Sequence, residues 1–331
     1  MRLSNFELLR LVAMLLVLFL HCNYSVFGSV TQTDIASDTF TSFFRIFSEQ
    51  ACLVCVNIFV LISGWFGIKT SYKGLANILF QVIFLGWLIA IMLYPLTNEM
   101  PVKEMMKLTY LGSYYWFVPS YLILYVSAPM LNTFINASDK NTVFRFLVCF
   151  FLLEFALGWL FDWEHYGLGY SAISFFGLYV LARYIRTYGN DSHYLCMNSW
   201  YYMMCYLLLT IMPSVIIYAS VTQFNYNCNQ LAYSSPFIIG SSVCLLLFFS
   251  KLEIQSRAVN WASASAFSMY LIQLHPSVWP RWRTFCLSIA DSYTWGGAIT
   301  DHNSALCHIR SCLYPYRSSS QSGMEWNCQN V

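Results

Sequence analysis

Residues 5–21 read Asn5-Phe-Glu-Leu-Leu-Arg10-Leu-Val-Ala-Met-Leu-Leu-Val-Leu-Phe-Leu-His21, and the apolar character persists to Phe27. A membrane-spanning helix needs about 20 mostly apolar residues, so residues 8–27 predict a first transmembrane helix. A cleavable signal peptide would end in a cleavage site of small residues. This stretch carries Arg10 and continues into polar residues without such a site. We therefore expect a helix that stays in the membrane.

The rest of the chain has the same composition. Of its 331 residues, 58% are hydrophobic and only 10% are charged, whereas a soluble domain has about 25% charged residues. This composition excludes a disordered chain, a collagen-like fibre and an ordinary cytosolic enzyme. A net charge of +2 gives no basis for nucleic-acid binding. The apolar runs are longer than the alternating segments of a membrane β-barrel, so we predict an all-α, polytopic transmembrane helical bundle.

Eight further apolar stretches have about the length of a span. Together with the first they predict about nine helices, near residues 8–27, 50–68, 77–96, 114–133, 144–161, 168–186, 200–220, 233–250 and 261–280. Short polar loops, such as 28–49, connect them, and no internal repeat is visible. Residues 1–280 are therefore predicted to form one transmembrane domain.

The distribution of Lys and Arg predicts which side of the membrane each loop faces, because cytoplasmic loops carry an excess of these residues. With the N-terminus in the cytoplasm, the other side holds three before the tail: Arg45, Lys103 and Lys107. The cytoplasmic side holds ten: Arg2, Arg10, Lys69, Lys73, Lys140, Arg145, Arg183, Arg186, Lys251 and Arg257. This bias predicts a cytoplasmic N-terminus.

Residues 281–331 differ from the rest of the chain. They contain no apolar run of spanning length and no helical or strand periodicity. One interpretation is an extracytoplasmic tail with a disulfide among Cys286, Cys307, Cys312 and Cys328. The interpretation that we favour is a frameshifted end that has replaced a tenth helix. We expect an atypical polar tail, either frameshifted or disordered.

Two basic side chains lie inside the first predicted helix, where ionisable groups are costly and by default mark function. Arg10 and His21 are eleven residues apart, which is within about 20° of a whole number of turns, so they share one face about 16 Å apart. Arg10 is suited to bind an anionic donor, and Glu7 is placed to pair with it. His21 is suited to act as a general base that takes the proton of a hydroxyl. The alternatives are a positive-inside anchor for Arg10 and a hydrogen-bonded core histidine for His21.

Later helices carry further polar candidates. Asn57 and Ser63 are candidates for contacts to an oxyanion or to the acceptor, and the alternative for Ser63 and Gly64 is helix packing. Glu154 is placed to orient the first-helix histidine, to pair with an arginine or to face a water-filled cavity. Candidates for donor phosphates, with membrane anchoring as the alternative, are Arg183 and Arg186, joined by Lys69 and Lys73.

Five ordered motifs resemble the acyltransferase 3 family of membrane acyltransferases. The segment Asn5-Phe-Glu-Leu-Leu-Arg10-Leu-Val-Ala13 with His21 is similar to its first helix, in which ten residues separate an Arg and a His. The remaining matches, which extend the resemblance to about residue 280, are Leu61-Ile-Ser63-Gly64-Trp65-Phe66, Trp116-Phe-Val-Pro-Ser-Tyr121 with Pro129-Met-Leu-Asn132, Phe176-Gly-Leu-Tyr179 with Arg183-Tyr-Ile-Arg186, and Phe267-Ser-Met-Tyr270-Leu-Ile272.

The resemblance implies about ten helices in the inner membrane of a bacterium. It implies transfer of an acyl group, most often acetyl from cytoplasmic acetyl-CoA, to a hydroxyl of a cell-surface glycan or its lipid-linked precursor. It assigns an essential role in transfer to His21, and donor handling or transfer to Arg10. Membrane lipid and a glycan or lipid-linked sugar are the expected partners, and no metal ion is expected.

The chain departs from the family pattern in two motifs. Many members have Arg-x-x-Arg after the second helix, where this chain offers only Lys69 and Lys73. Members often read Tyr-Leu-Ile-His where this chain reads Tyr270-Leu-Ile-Gln273, with His275 two residues further on.

Two other functions fit the composition. A glycan or lipid transporter or flippase would favour paired halves with broken helices, and no such symmetry is visible. An inactive remnant of an acyltransferase would follow from the altered tail. The favoured hypothesis is a membrane-embedded O-acyltransferase that uses acetyl-CoA.

Overall fold

The computed structural model describes residues 3–97, 115–161, 167–189, 197–224 and 232–292, together with Val102 and Met106. These residues are mostly helical, and none of them lies in a strand. We number the described α-helices in chain order: α1 Ser4–Leu20, α2 Gln32–Ser37, α3 Thr39–Cys52, α4 Val54–Phe66, α5 Tyr72–Thr97, α6 Phe117–Ala137, α7 Lys140–Leu153, α8 Ala172–Tyr188, α9 Ser199–Phe224, α10 Pro236–Ser250, α11 Arg257–Ser263, α12 Ala266–Gln273 and α13 Trp279–Ser292.

This architecture confirms the predicted all-α, polytopic helical bundle. By length and hydropathy, six described stretches can cross a membrane: Ser4–Val26, Thr39–Phe66, Tyr72–Pro95, Phe117–Ala137, Lys140–Leu160 and Ser199–Phe224. The shorter helices α8 and α10 contribute 17 and 15 residues. Large apolar side chains point outward, among them Phe80 at 61% and Met92 at 68% exposure, as expected for a surface solvated by lipid tails.

Helix α4 lies at the centre of the bundle, in contact with α1, α8 and α10. Its side chains Ile58, Leu61 and Ile62 are completely buried. Gly64 allows α8 to approach closely, because an added Cβ would lie only 2.5 Å from the carbonyl oxygen of Tyr179. Small residues at such crossings are the usual solution in membrane bundles.

The helix ends that carry most of the Lys and Arg residues meet at one end of the bundle. Phe6 packs against Trp65, with 5.6 Å between ring centroids. Across the same end, the Tyr188 hydroxyl donates to the Ser138 carbonyl at 3.0 Å. The alternation of helix directions inferred from charge therefore agrees with the packing.

The segment 28–49, predicted to be a loop, is largely helical. Thr31 and Asp34 form a capping box that starts α2, and the Asp38 side chain caps α3. Short polar residues favour such N-cap positions because their oxygens accept hydrogen bonds from otherwise unpaired N–H groups. The second candidate span therefore begins at Thr39 rather than near residue 50.

The ninth predicted span, 261–280, is not one helix but is divided among α11, α12 and the start of α13. Helix α12 ends at Gln273, two residues before His275-Pro276, because a residue that precedes proline is disfavoured in the α conformation. Pro280 lies in the first turn of α13. A backbone N–H at this position would have no acceptor within the helix, so proline is tolerated there.

Helix α13 crosses the predicted boundary at residue 280. The first part of the predicted tail is therefore helical, and α13 packs against the segment that follows α1. The division of the chain at residue 280 stays a prediction. Residues 293–331, on which most of the tail interpretation depends, lie outside the described residues.

Candidate active site

The polar side of α1 contacts α11 and α12 along the bundle. The Ser263 hydroxyl donates to Glu7 Oε2 at 2.6 Å, and His21 Nδ1 lies 3.0 Å from Gln273 Oε1. Both pairs join residues more than 250 positions apart. Helix α1 and the segment α11–α12 therefore run in the same direction, and the segment lines the side of α1 that carries the candidate residues.

His21 begins a π-helical turn, His21–Val26, that continues α1. Such turns are rare and are frequently found at functional sites. Besides its contact with Gln273, the imidazole lies edge-to-face with the Trp279 indole at 5.7 Å between centroids. Within the described part of the chain, His21 Nε2 has no hydrogen-bond partner, and the side chain is partly exposed. One ring nitrogen is therefore held, and the other is available to a ligand.

His275 has the opposite arrangement. It is completely buried, its Nε2 donates to the Gly86 carbonyl at 3.0 Å, and its Nδ1 accepts from the Ser277 N–H at 3.1 Å. Because both ring nitrogens are used, His275 holds the connection between α12 and α13 against α5. It is a structural residue, although it lies only two positions from Gln273.

Arg10 pairs with the Glu7 carboxylate, as their spacing on α1 predicts. Its side chain is 33% exposed, whereas Glu7 is buried and is held from the other side by Ser263. The guanidinium also interacts electrostatically with the Tyr121 hydroxyl, which lies 3.0 Å from Ser63 Oγ. Ser63 therefore belongs to the surroundings of Arg10.

The loop after α4 is held firmly between α6 and α8. The Tyr179 hydroxyl accepts from the Ile68 N–H at 2.9 Å and donates to Asn132 Oδ1 at 2.8 Å. Gly67 ends α4 with a φ of 75°, a region that favours glycine. An added Cβ there would lie 3.1 Å from Arg183 Nη1, so the guanidinium packs directly on this loop.

Further cations lie at the same end of the bundle. The Arg186 guanidinium carbon lies 5.2 Å from the centre of the Trp65 ring, a cation–π contact. Lys69 and Lys73 are exposed, one on the loop after α4 and one at the start of α5. The structure thus brings the predicted donor-binding residues of α5, α8 and the loop after α4 to the end of the bundle where α1 begins.

Asn57 and Glu154 lie in other polar contacts. Asn57 Nδ2 donates to the Tyr233 carbonyl at 3.0 Å, and its Oδ1 is buried without a partner in the described residues. Glu154, only 1% exposed, begins a second π-helical turn and interacts with the Ser174 side chain. Neither of them is a described hydrogen-bond partner of His21.

The direct contacts of His21 come from two residues that were not among the candidates, Gln273 and Trp279. The sequence contains one signal for the first, because Gln273 stands where the family motif often has His. It contains none for Trp279, because that contact depends on the turn that brings α13 back against α1.

The family model described as an acyltransferase domain matches residues 3–289. This match spans the chain from the start of α1 into α13 and agrees with the motifs seen in the sequence. The chain belongs to this acyltransferase family and, with its membrane-crossing helices, is a multi-pass membrane protein. No curated protein and no solved structure matches the chain.

Proposed function

We propose that this protein is a membrane-embedded O-acyltransferase that moves acetyl from acetyl-CoA to a hydroxyl of a cell-surface glycan or its lipid-linked precursor. The observation that carries the proposal is the state of His21, whose Nδ1 is held by Gln273 at 3.0 Å while Nε2 has no partner among the described residues. A general base needs one oriented nitrogen and one accessible nitrogen. Family membership supports the transfer of an acyl group.

The donor would bind at the end of the bundle where α1 begins. Arg183 and Arg186 offer planar guanidinium groups that suit phosphate oxygens, and Lys69 and Lys73 add exposed positive charge. Arg10 lies between these cations and His21 along α1. With the N-terminus in the cytoplasm of a cell with an inner membrane, this end meets cytoplasmic acetyl-CoA. His21 lies about 16 Å from Arg10 along α1. The part of the donor that carries the acetyl group must therefore extend over this distance.

The acceptor would approach His21 from the opposite end of the bundle. Nε2 would take the proton of the acceptor hydroxyl while its oxygen attacks the thioester carbonyl carbon, and the departing thiolate would receive that proton. Membrane lipid surrounds the helices, and a glycan or lipid-linked sugar supplies the hydroxyl. In this proposal Asn57 and Ser63 on α4 and Glu154 after α7 supply polar contacts outside the immediate surroundings of His21.

The test is the O-acetyl content of the surface glycan, measured by proton NMR in cells that lack the gene and carry a complementing copy. We expect the wild type to restore the acetyl signal and His21→Ala to lower it by about 100-fold or more. Arg10→Gln should reduce it, whereas Arg145→Gln is a matched control on an exposed position of α7. Membrane levels of each variant are compared by blot.

Equal restoration by wild type and His21→Ala would make His21 a structural residue and reject the mechanism. A wild type that restores no acetyl signal would reject acetyl transfer to this glycan. Membranes incubated with radiolabelled acetyl-CoA distinguish acyl transfer from the remaining alternative, transport. Glycan that crosses the membrane without acquiring label would indicate a transporter.

A further inference from the structure

The hydrogen bond between His21 and Gln273 determines which imidazole nitrogen carries the proton. Gln273 Oε1 lies 3.0 Å from Nδ1, and a carboxamide oxygen can only accept a hydrogen bond. The proton therefore sits on Nδ1, and the lone pair of the neutral ring sits on Nε2. This is the tautomer that a base acting through Nε2 requires.

The position of Gln273 is itself fixed by the surrounding helices. The side chain is 5% exposed at the end of α12, and the Tyr115 hydroxyl donates to the carbonyl of Leu271 at 2.9 Å. Two residues further on, His275 uses both ring nitrogens to hold the chain against α5 and the next turn. Gln273 thus projects from a rigid support, which a residue that orients a catalytic group needs.

Two buried N–H donors next to the imidazole have no partner in the described part of the chain. One is Gln273 Nε2 and the other is Nε1 of Trp279, whose indole contacts the His21 ring. Buried donors are usually hydrogen-bonded, since an unpaired one costs free energy. In the proposed transfer the acyl carbonyl oxygen gains negative charge close to this imidazole, and a buried N–H without a partner is suited to stabilise such charge.

We propose that Gln273 is a positioning residue that holds His21 as the Nδ1–H tautomer, and that the free N–H groups of Gln273 and Trp279 receive the carbonyl oxygen of the acyl group during transfer. The proposal rests on the proposed acyltransferase function. It replaces Asn57 and Ser63 as oxyanion donors, because Asn57 Nδ2 and Ser63 Oγ already bond to backbone carbonyls at 3.0 and 2.9 Å.

The tautomer is tested by nitrogen-15 NMR of the histidine-labelled protein in detergent, with the His21 resonances assigned by their loss in His21→Ala. The wild type should show a protonated Nδ1 and an unprotonated Nε2 above the pKa of the ring. A proton on Nε2 would mean that the amide nitrogen faces the ring and would overturn the proposal. This readout needs no activity, so it stands apart from any failure of the acyl-transfer proposal.

Kinetics with radiolabelled acetyl-CoA test the roles in transfer. Gln273→Met should lower kcat by about 100-fold with little change in the KM for acetyl-CoA. Gln273→Glu still accepts from Nδ1 but adds a negative charge, so the acidic limb of the kcat/KM profile should move to higher pH. Trp279→Phe keeps the ring and removes the donor, and should lower kcat by about 100-fold.

Gln50→Met is the matched control, because Gln50 is also buried, at 3% exposure, but lies on α3. It should retain wild-type kcat and an unchanged pH profile. Wild-type kcat in Gln273→Met, or an unmoved acidic limb in Gln273→Glu, would overturn the positioning role. Wild-type kcat in Trp279→Phe would overturn the donor role.

Discussion

Hydrogen-bond partners separate residues of the same type in this protein. His21 and His275 both lie inside the bundle, but only His21 keeps a ring nitrogen without a partner in the described residues. Among the arginines, Arg10 is oriented by a buried carboxylate, and Arg186 is stacked on an indole. Residue type therefore narrows the candidates for chemistry, and the contacts assign the roles.

Asp139 provides a residue-scale prediction on the dependence of stability on pH. It caps α7, where its carboxylate accepts from the Thr142 hydroxyl and from the N–H groups of Asn141 and Thr142 at 3.0 and 3.3 Å. These bonds, that of the Thr142 hydroxyl first, hold the pKa of Asp139 below its usual value. The resulting stability is present above the unfolded pKa of about 3.9 and is lost as pH falls through the lower folded value.

We therefore expect the thermal midpoint of the detergent-solubilised protein to fall as the pH drops below about 4. Asp139→Asn keeps an N-cap side chain but does not titrate, so its midpoint should fall less over the same range. The measurement is a series of thermal unfolding curves against pH. Identical acid slopes for wild type and variant would contradict this role of Asp139.

At the scale of elements, α4 is the helix on which the bundle is assembled. Helices α5 and α9 face outward with large apolar side chains, whereas α4 packs inside with α1, α8 and α10. The close approach of α8 at Gly64 brings Tyr179 to the loop after α4, where the Tyr179 hydroxyl binds the Ile68 N–H. Packing at one glycine thus positions the loop that carries candidate donor-binding groups.

Substitution of that glycine tests the element-scale argument. In Gly64→Ala the new Cβ would meet the backbone of Tyr179, at 2.5 Å from its oxygen and 2.9 Å from its Cα. Because backbone cannot yield as a side chain does, we expect a loss of about 1–3 kcal/mol in stability and a lower thermal midpoint.

Gly240→Ala is the matched control, since its Cβ would meet only the Leu209 Cδ1 atom at 3.2 Å. A helical Gly→Ala change otherwise stabilises by about 0.5–1 kcal/mol, so this variant should unfold at or above the wild-type temperature. Fluorescence-detected thermal unfolding of the two variants gives the comparison. A Gly64→Ala protein as stable as Gly240→Ala would reject the close approach of α4 and α8.

On the scale of the whole molecule, the chain returns at its far end to the helix with which it began. Helices α11 and α12 line the polar side of α1, and α13 packs on the π-helical turn after it. The thiols of Cys22 and Cys286 interact electrostatically across this contact. The candidate site is therefore complete only when both ends of the described chain are in place.

Oxidative cross-linking tests this closure. With copper phenanthroline and dioxygen, we expect Cys22 and Cys286 to lose two protons and two electrons and form a disulfide, because contacting thiols need only small adjustments to bond. Peptide mass spectrometry identifies the pair, and Cys22→Ser should abolish it. Cys149, exposed on α7, should be alkylated without joining either residue. Absence of the Cys22–Cys286 link would contradict the placement of α13.

Because hydropathy and charge add up along a local stretch, sequence reasoning alone was enough to predict the helical membrane class, most of the spans, their alternating direction, and Arg10 and His21 as candidates. Mean hydropathy did not reveal the helices within 28–49 or the division of 261–280. N-cap residues and a proline determine where the helices begin and end in these segments. The partners of His21 became visible only in the packed helices. The Gln273 contact joins positions 252 residues apart, and such a contact depends on how all the intervening helices pack rather than on any local pattern.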